Sequence, residues 1–153
     1  MMNLILWRHA EAEDTASSDL ARQLTPRGRK QALAVAKWLR SRLEPDAVIL
    51  VSPAARTVQT VEPLTDQYRV VKEIAPGASV SDVLEAAGWP DGVAPTVVVV
   101  GHQPTLGRVA SFLLTGQETE LALKKGGLWW LYKRERNGDD QVIVRAVITP
   151  DLA

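Results

Sequence analysis

No cysteine occurs in the 153 residues, which removes disulfides, thiolate nucleophiles and cysteine-ligated metals. Histidine is almost as scarce, with only two, His9 and His102. Two are too few for a histidine-rich metal site, and neither metal nor cofactor is expected. Neither sign of charge is in excess, since 18 Lys and Arg balance 18 Asp and Glu. Such a chain has no global field drawing it to nucleic acid or to an anionic membrane, so any anion site must be local. No apolar run approaches membrane-spanning length. Met1-Met2-Asn3 is not the basic flank of a signal peptide, and the apolar run at 4–7 is too short for its core. A cytoplasmic protein is the expectation. What is present, 46% hydrophobic and 24% charged residues, is a globular balance with enough chain for one domain spanning 1–153 and a real core.

Leu4-Ile5-Leu6-Trp7 runs straight into Arg8-His9. An apolar run ending abruptly in polar side chains reads as a buried strand that delivers those side chains to a sheet's rim. Residues 47–51 and 96–100 are two more such runs, and 68–74 a weaker one interrupted by charge. Thr25-Pro26 is a cap followed by proline and opens a helix with Ala32, Val35, Ala36, Leu39 and Leu43 at helical spacing. Ser52-Pro53 repeats the device before a helix with a stripe of Ala55, Val58 and Val61, which Pro63 ends. Residues 79–87 form a short helix stopped by Gly88, and a last helix carries Leu106, Val109, Ala110 and Leu113 to Gly116. Residues 128–133 and 141–148 read as a hairpin around Asn137-Gly138-Asp139-Asp140, and 119–127 as a linker. Alternating strands and helices imply right-handed crossovers. The fold class is therefore α/β, a three-layer α/β/α arrangement. Its sheet is open and mostly parallel, about six strands wide, with the C-terminal antiparallel hairpin at one edge.

In such sheets ligands bind at the carboxyl ends of the strands. The first junction there supplies Arg8 and His9, the second Ser52 and Arg56, the third His102 and Gln103. Two helices also begin there, and their free N–H groups favour an anion. Singly, each residue is an ordinary rim charge or structural histidine. Together the cations suit a doubly charged tetrahedral anion, phosphate or sulfate, because guanidinium donors match its oxygens. Glu11, Glu13 and Asp14 read as a solvated loop face, and Lys124 and Lys125 as surface charge or a loop at the pocket mouth.

Arg8-His9-Ala10, Ser52-Pro53 with Arg56 and Gln59-Thr60, and Gly101-His102-Gln103-Pro104, in that order, resemble the histidine phosphatase superfamily of phosphoglycerate mutases and acid phosphatases. The short length and Asp19-x-x-Arg22-x-Leu24-Thr25-x-x-Gly28 look most like its small bacterial SixA-type phosphohistidine phosphatase branch. Ala10 stands where the superfamily usually has glycine, which narrows the branch. The resemblance implies His9 as nucleophile, with Arg8, Arg56 and His102 holding phosphate oxygens and Arg22 near the pocket. Ser52 and Gln103 join Arg22 as expected substrate-binding residues. It further implies a metal-independent phosphohistidine phosphatase acting on a phosphorylated protein, a histidine-phosphotransfer domain or histidine kinase. Larger members supply a carboxylate acid between the second and third motifs, where only Glu73, Asp82 and Glu85 are candidates here. Two other readings stay open: a phosphomonoesterase of a small metabolite, and a non-catalytic phosphate- or phosphoprotein-binding module. A phospho-accepting receiver domain fits poorly, since its first strand would lead into carboxylates.

Overall fold

The computed structural model describes every residue except Val93. Strands β1 (Met2–Arg8), β2 (Val48–Val51), β3 (Arg69–Val70), β4 (Thr96–Gly101), β5 (Leu128–Arg136) and β6 (Asp139–Ile148) form one sheet in the order β3-β2-β4-β1-β5-β6. β1 pairs parallel with β4, β4 with β2 and β2 with β3, whereas β5 runs antiparallel to both β1 and β6. Helices α1 (Pro26–Arg40), α2 (Ala55–Val61), α3 (Val80–Ala87) and α4 (Thr105–Thr115) cover the two faces. The expected architecture is the one observed.

Strand alternation divides the core. Leu4 and Leu6 of β1, with Val97 and Val99 of β4, pack against Val80 and Val83 of α3 and Leu106 and Val109 of α4. Ile5 and Trp7, with Val98 and Val100, pack against Val35, Ala36 and Leu39 of α1 and Val61 of α2. Every side chain from Leu4 to Trp7 is wholly buried, each contributing on the order of 2 kcal/mol. A strand covered on both faces has no solvated alternative register. That burial makes β1 a rigid mount for the residues at its carboxyl end.

Several local expectations need correction. Tyr68–Ile74 is a strand only at Arg69–Val70; Lys72–Ile74 is a 3-10 turn that buries Ile74. The interrupting charges left no apolar face to keep in the sheet. Helix α2 begins two residues later than Ser52-Pro53 suggests, with Ala54 at its N-cap and no side-chain cap. Its buried face carries Arg56, Thr57, Thr60 and Val61, while Ala55 and Val58 are half-buried. The hairpin turn is tighter than expected, Asn137-Gly138 alone, both at positive φ (54° and 80°), as a type I′ turn requires. By contrast, Thr25 caps α1 by accepting from the Gly28 N–H at 2.9 Å, and Ser79 with Asp82 forms a capping box on α3.

Two glycines sit where backbone crosses backbone. A Cβ at Gly28 would lie 1.9 Å from the Glu11 carbonyl oxygen, and one at Gly107 would lie 1.8 Å from that of Leu121. The first contact seats the 10–24 loop on α1, and the second seats the 119–127 segment on α4. Gly107→Ala should therefore cost about 2–3 kcal/mol through overpacking. A fall in the urea midpoint at unchanged m-value would check it; an unchanged midpoint would mean the 119–127 segment moves freely.

Candidate active site

Beyond β1 the ladder to β4 continues for one residue, with the His9 N–H donating to Gly101 O at 3.1 Å. On the other side the Arg8 N–H donates to Gly127 O (3.0 Å), and His9 O accepts from the Gly126 N–H (2.9 Å). The backbone under His9 is thus held from both edges. Its Nδ1 lies 2.7 Å from Ala10 O. A carbonyl can only accept, so Nδ1 carries the proton and Nε2 keeps its lone pair. Burial, followed by the charges of Arg56, Arg8 and Arg22, lowers the His9 pKa to about 4, against the Ala10 hydrogen bond that favours the cation. The ring is neutral at pH 7, with one free lone pair.

His102 faces it, with ring centroids 5.4 Å apart and planes at 52°. Its Nε2 is 2.7 Å from Ser52 Oγ. Burial first, then repulsion from His9 and Arg56, lowers its pKa to about 3, although Asp19 acts the other way. Ser52 therefore serves His102, where the sequence made it a helix cap; its Oγ also accepts a long bond from the Ala54 N–H (3.4 Å). With that N–H as donor, the Ser52 hydroxyl proton is free to go to His102 Nε2, which leaves the neutral ring's proton on Nδ1.

Arg56 is only 4% exposed. It donates through Nη1 to Asp19 O (2.8 Å) and through Nη2 to Asp19 Oδ2 (3.1 Å). Arg22 donates from Nη1 to Asp19 Oδ1 (3.1 Å) and from Nε to Glu13 O (2.6 Å). One carboxylate thus bridges two guanidinium groups, and those bonds hold Asp19 below the usual carboxylate range. Sequence reading singled out Asp19 only as the first residue of the Asp19-x-x-Arg22 segment. Its only signal was the three-residue spacing to Arg22, since the partner Arg56 is 37 residues away.

Gln103 is not turned to the same purpose. Its Nε2 donates to Leu121 O (2.8 Å) and its Oε1 accepts from the Gly107 N–H (2.7 Å). The amide ties the 119–127 segment to α4. The Leu106 N–H likewise goes to His102 O (3.0 Å), so the first turn of α4 offers an anion fewer free amides than expected. Among the described residues, the buried side-chain nitrogens with no hydrogen-bond partner are Arg8 Nε, Arg56 Nε and His102 Nδ1. Unpaired buried donors are costly, at about 1–3 kcal/mol each, and these belong to residues from three different strand ends. Such donors beside a neutral imidazole are what an anionic tetrahedral group would satisfy.

Comparison with known proteins agrees with this geometry. Residues 4–78 match the model of the histidine phosphatase superfamily (branch 1). The chain is 34% identical over 128 residues to a phosphohistidine phosphatase SixA homolog of Haemophilus influenzae, covering 73% of this chain and 77% of that protein. It is 32% identical to phosphohistidine phosphatase SixA of Escherichia coli, covering 76% of each. The chain belongs to the histidine phosphatase superfamily. Within it the chain falls in the SixA-type branch. The solved structure of the protein histidine phosphatase SixA with tungstate superposes at a TM-score of 0.82 with 25% identity, covering 98% of both chains.

As a phosphatase of that superfamily, the chain has its carboxylates in telling places. Glu73, Asp82 and Glu85 line a cleft along β3 and α3 with Arg69 and Lys72. Asp82 is further engaged as the capping partner of the Ser79 N–H (3.0 Å). No helix among the described residues is long and apolar enough to cross a membrane.

The two histidine shifts set a dependence of stability on pH. Both folded pKa values, about 4 and about 3, lie below the ordinary 6.5 of the unfolded chain. Unfolded protein therefore binds protons first as pH falls. The contribution is complete above about pH 6.5 and is lost progressively towards pH 4 and 3. On the order of a few kcal/mol should disappear over that window. Urea titrations at stepped pH would show it, and His102→Gln should flatten the slope; an equal slope in the variant would deny His102 its share.

Proposed function

We propose that the chain is a phosphohistidine phosphatase, working through a covalent phospho-His9 intermediate, with residues 1–153 as one domain. The observation that carries this reading is the set of unpartnered buried donors, Arg8 Nε, Arg56 Nε and His102 Nδ1, beside an imidazole that is neutral and free at Nε2. Arg8, Arg56 and His102 would bind the equatorial phosphoryl oxygens, with Arg22 supporting Arg56 through their shared Asp19. The stabilisation is electrostatic and prearranged. The guanidinium groups of Arg8 and Arg56 repel a cation, so the site suits the anion without a metal.

In the first step His9 Nε2 attacks phosphorus in line. The P–N bond to the substrate imidazole breaks, and because the reacting form of the substrate is the imidazolium, protonated on its other ring nitrogen, that imidazole leaves neutral. Water then attacks the phosphorus of phospho-His9, and His9 recovers its lone pair as dihydrogen phosphate departs with both water protons. A phosphoramidate leaving group therefore needs no acid from the enzyme, whereas an alkoxide does. Asp19, the carboxylate bonded to Arg56, is held deprotonated by its two arginines and is poorly suited to that task. This favours phosphohistidine, on a protein such as a histidine-phosphotransfer domain or histidine kinase, over a sugar phosphate.

Rapid acid-free quench with a radiolabelled phosphoramidate should trap an alkali-stable, acid-labile phosphoryl group on His9, and His9→Ala should abolish both label and turnover. Normal phosphohistidine hydrolysis by His9→Ala would sink the mechanism. Arg56→Ala should lower kcat by about 10²–10³, as loss of a preorganised charge donor does. Because Nε2 must be unprotonated, the acid limb of kcat/KM should fall near the His9 pKa of about 4, while loss of the substrate imidazolium, of ordinary pKa about 6.5, should lower kcat/KM above that pH. An acid limb centred at 6.5 would mean that the ring is solvated and not the buried group described.

A further inference from the structure

Arg8 has a second side. Beyond it lies a cleft rimmed by Arg27 and Lys30, from the first turns of α1, and by Lys124 and Lys125, from the loop before β5. The carboxylates among its lining residues are Glu11 and Asp151, and Glu11 accepts from Thr25 Oγ at 2.7 Å. All four rim cations are exposed, and among the described residues none is ion-paired. In a chain of zero net charge this is a local excess of positive charge, unexplained by phosphoryl transfer.

The rim is fixed relative to the reacting residues. Leu123 O accepts from Arg8 Nη1 (2.8 Å), Gly126 O accepts from Trp7 Nε1 (3.0 Å), and the Gly126 N–H donates to His9 O (2.9 Å). Gly126, at φ +75°, abuts Ala10, Gln31 and Pro150 so closely that an added Cβ would lie 3.1–3.5 Å from their side chains. The two lysines are therefore carried on backbone fastened to β1 itself.

We propose that this cleft docks the acidic flank of a phosphohistidine-bearing protein, with Arg27, Lys30, Lys124 and Lys125 meeting carboxylates beside the phosphorylated residue. The inference rests on the reading of the chain as a phosphohistidine phosphatase and extends it to the recognised surface. Exposed cations on long stems from two segments make a broad complementary face, not the convergent buried donors that hold a small second anion. A nucleic acid would call for basic charge along a face of the whole molecule, whereas here the excess adjoins one side of the site. Unpaired rim charges of this kind act chiefly on encounter and orientation and are screened by salt.

Two peptides of equal length test it, each with one histidine, flanked in one by Asp and Glu and in the other by Ser and Gln. In fluorescence anisotropy at low salt, the unphosphorylated acidic peptide should bind at least about tenfold more tightly than the neutral one. That preference should vanish in K124E/K125E, in R27E/K30E and at about 0.5 M NaCl. With the phosphorylated peptides, KM should be about tenfold lower for the acidic one at equal kcat, while both variants hydrolyse a small phosphoramidate as the wild type does. Equal binding of the two peptides, undiminished preference in both variants, or single-stranded RNA of matched charge binding as tightly would each overturn the docking site. Charge-dependent binding without turnover of either peptide would uphold the docking site and refute the phosphatase reading.

Discussion

The backbone of Arg8 and His9 is hydrogen-bonded on both edges, to Gly101 at the end of β4 and to Gly126 and Gly127 ahead of β5. Everything at the site hangs on that clamp. β4 is parallel to β1, so its own carboxyl end arrives alongside and brings His102. β5 is antiparallel, so its start lies at that same rim, and the segment before it contributes the Leu123 carbonyl to Arg8 and two lysines to the neighbouring cleft. Had β5 paired in parallel, its leading segment would lie at the far end of the sheet.

Electrostatics at this rim are managed by neutrality as much as by charge. Both histidines are kept uncharged by burial and by the neighbouring cations, so one ring retains a lone pair among guanidinium groups. Asp19 is the counterweight. With 58% of its side chain exposed, it joins Arg22 to the nearly buried Arg56 and keeps two like charges side by side. The loop that carries it is closed at its base by the Ala12–Leu24 bridge and by the Glu13 N–H to Gln23 O (2.8 Å). Gln59 and Thr60 of α2 hold it too, accepting from the N–H groups of Leu24 and Ala10. A polar excursion is thereby made into a fixed wall.

Much of this was legible along the chain. Runs of branched apolar residues ending in Arg-His or Gly-His identify central strands and the rim they serve, because burial on both faces leaves no other pattern. A cap such as Thr25 acts within four residues and was readable for that reason. Ser52 and Gln103 were not. The cap-like position of Ser52 concealed a bond to a histidine 50 residues on, and Gln103 ties down the linker at Leu121. The β3 segment was overextended, because a charged apolar-polar mixture satisfies strand and turn alike until its neighbours are known.

The sequence by itself determined which side chains stand at the strand ends, since hydrophobic periodicity settles the strands and chain connectivity settles the residues next in line. It likewise determined that any anion site would be local, from a balance of charge that composition alone reveals. Only the tertiary structure decided the ring nitrogen that His9 leaves free, the donors left without partners, and the pairing of Asp19 with Arg22 and Arg56. It alone brought Lys124 and Lys125 beside Arg27 and Lys30. Those features are distances and burial between residues far apart in the chain, and the periodicity of a single segment carries no information about either.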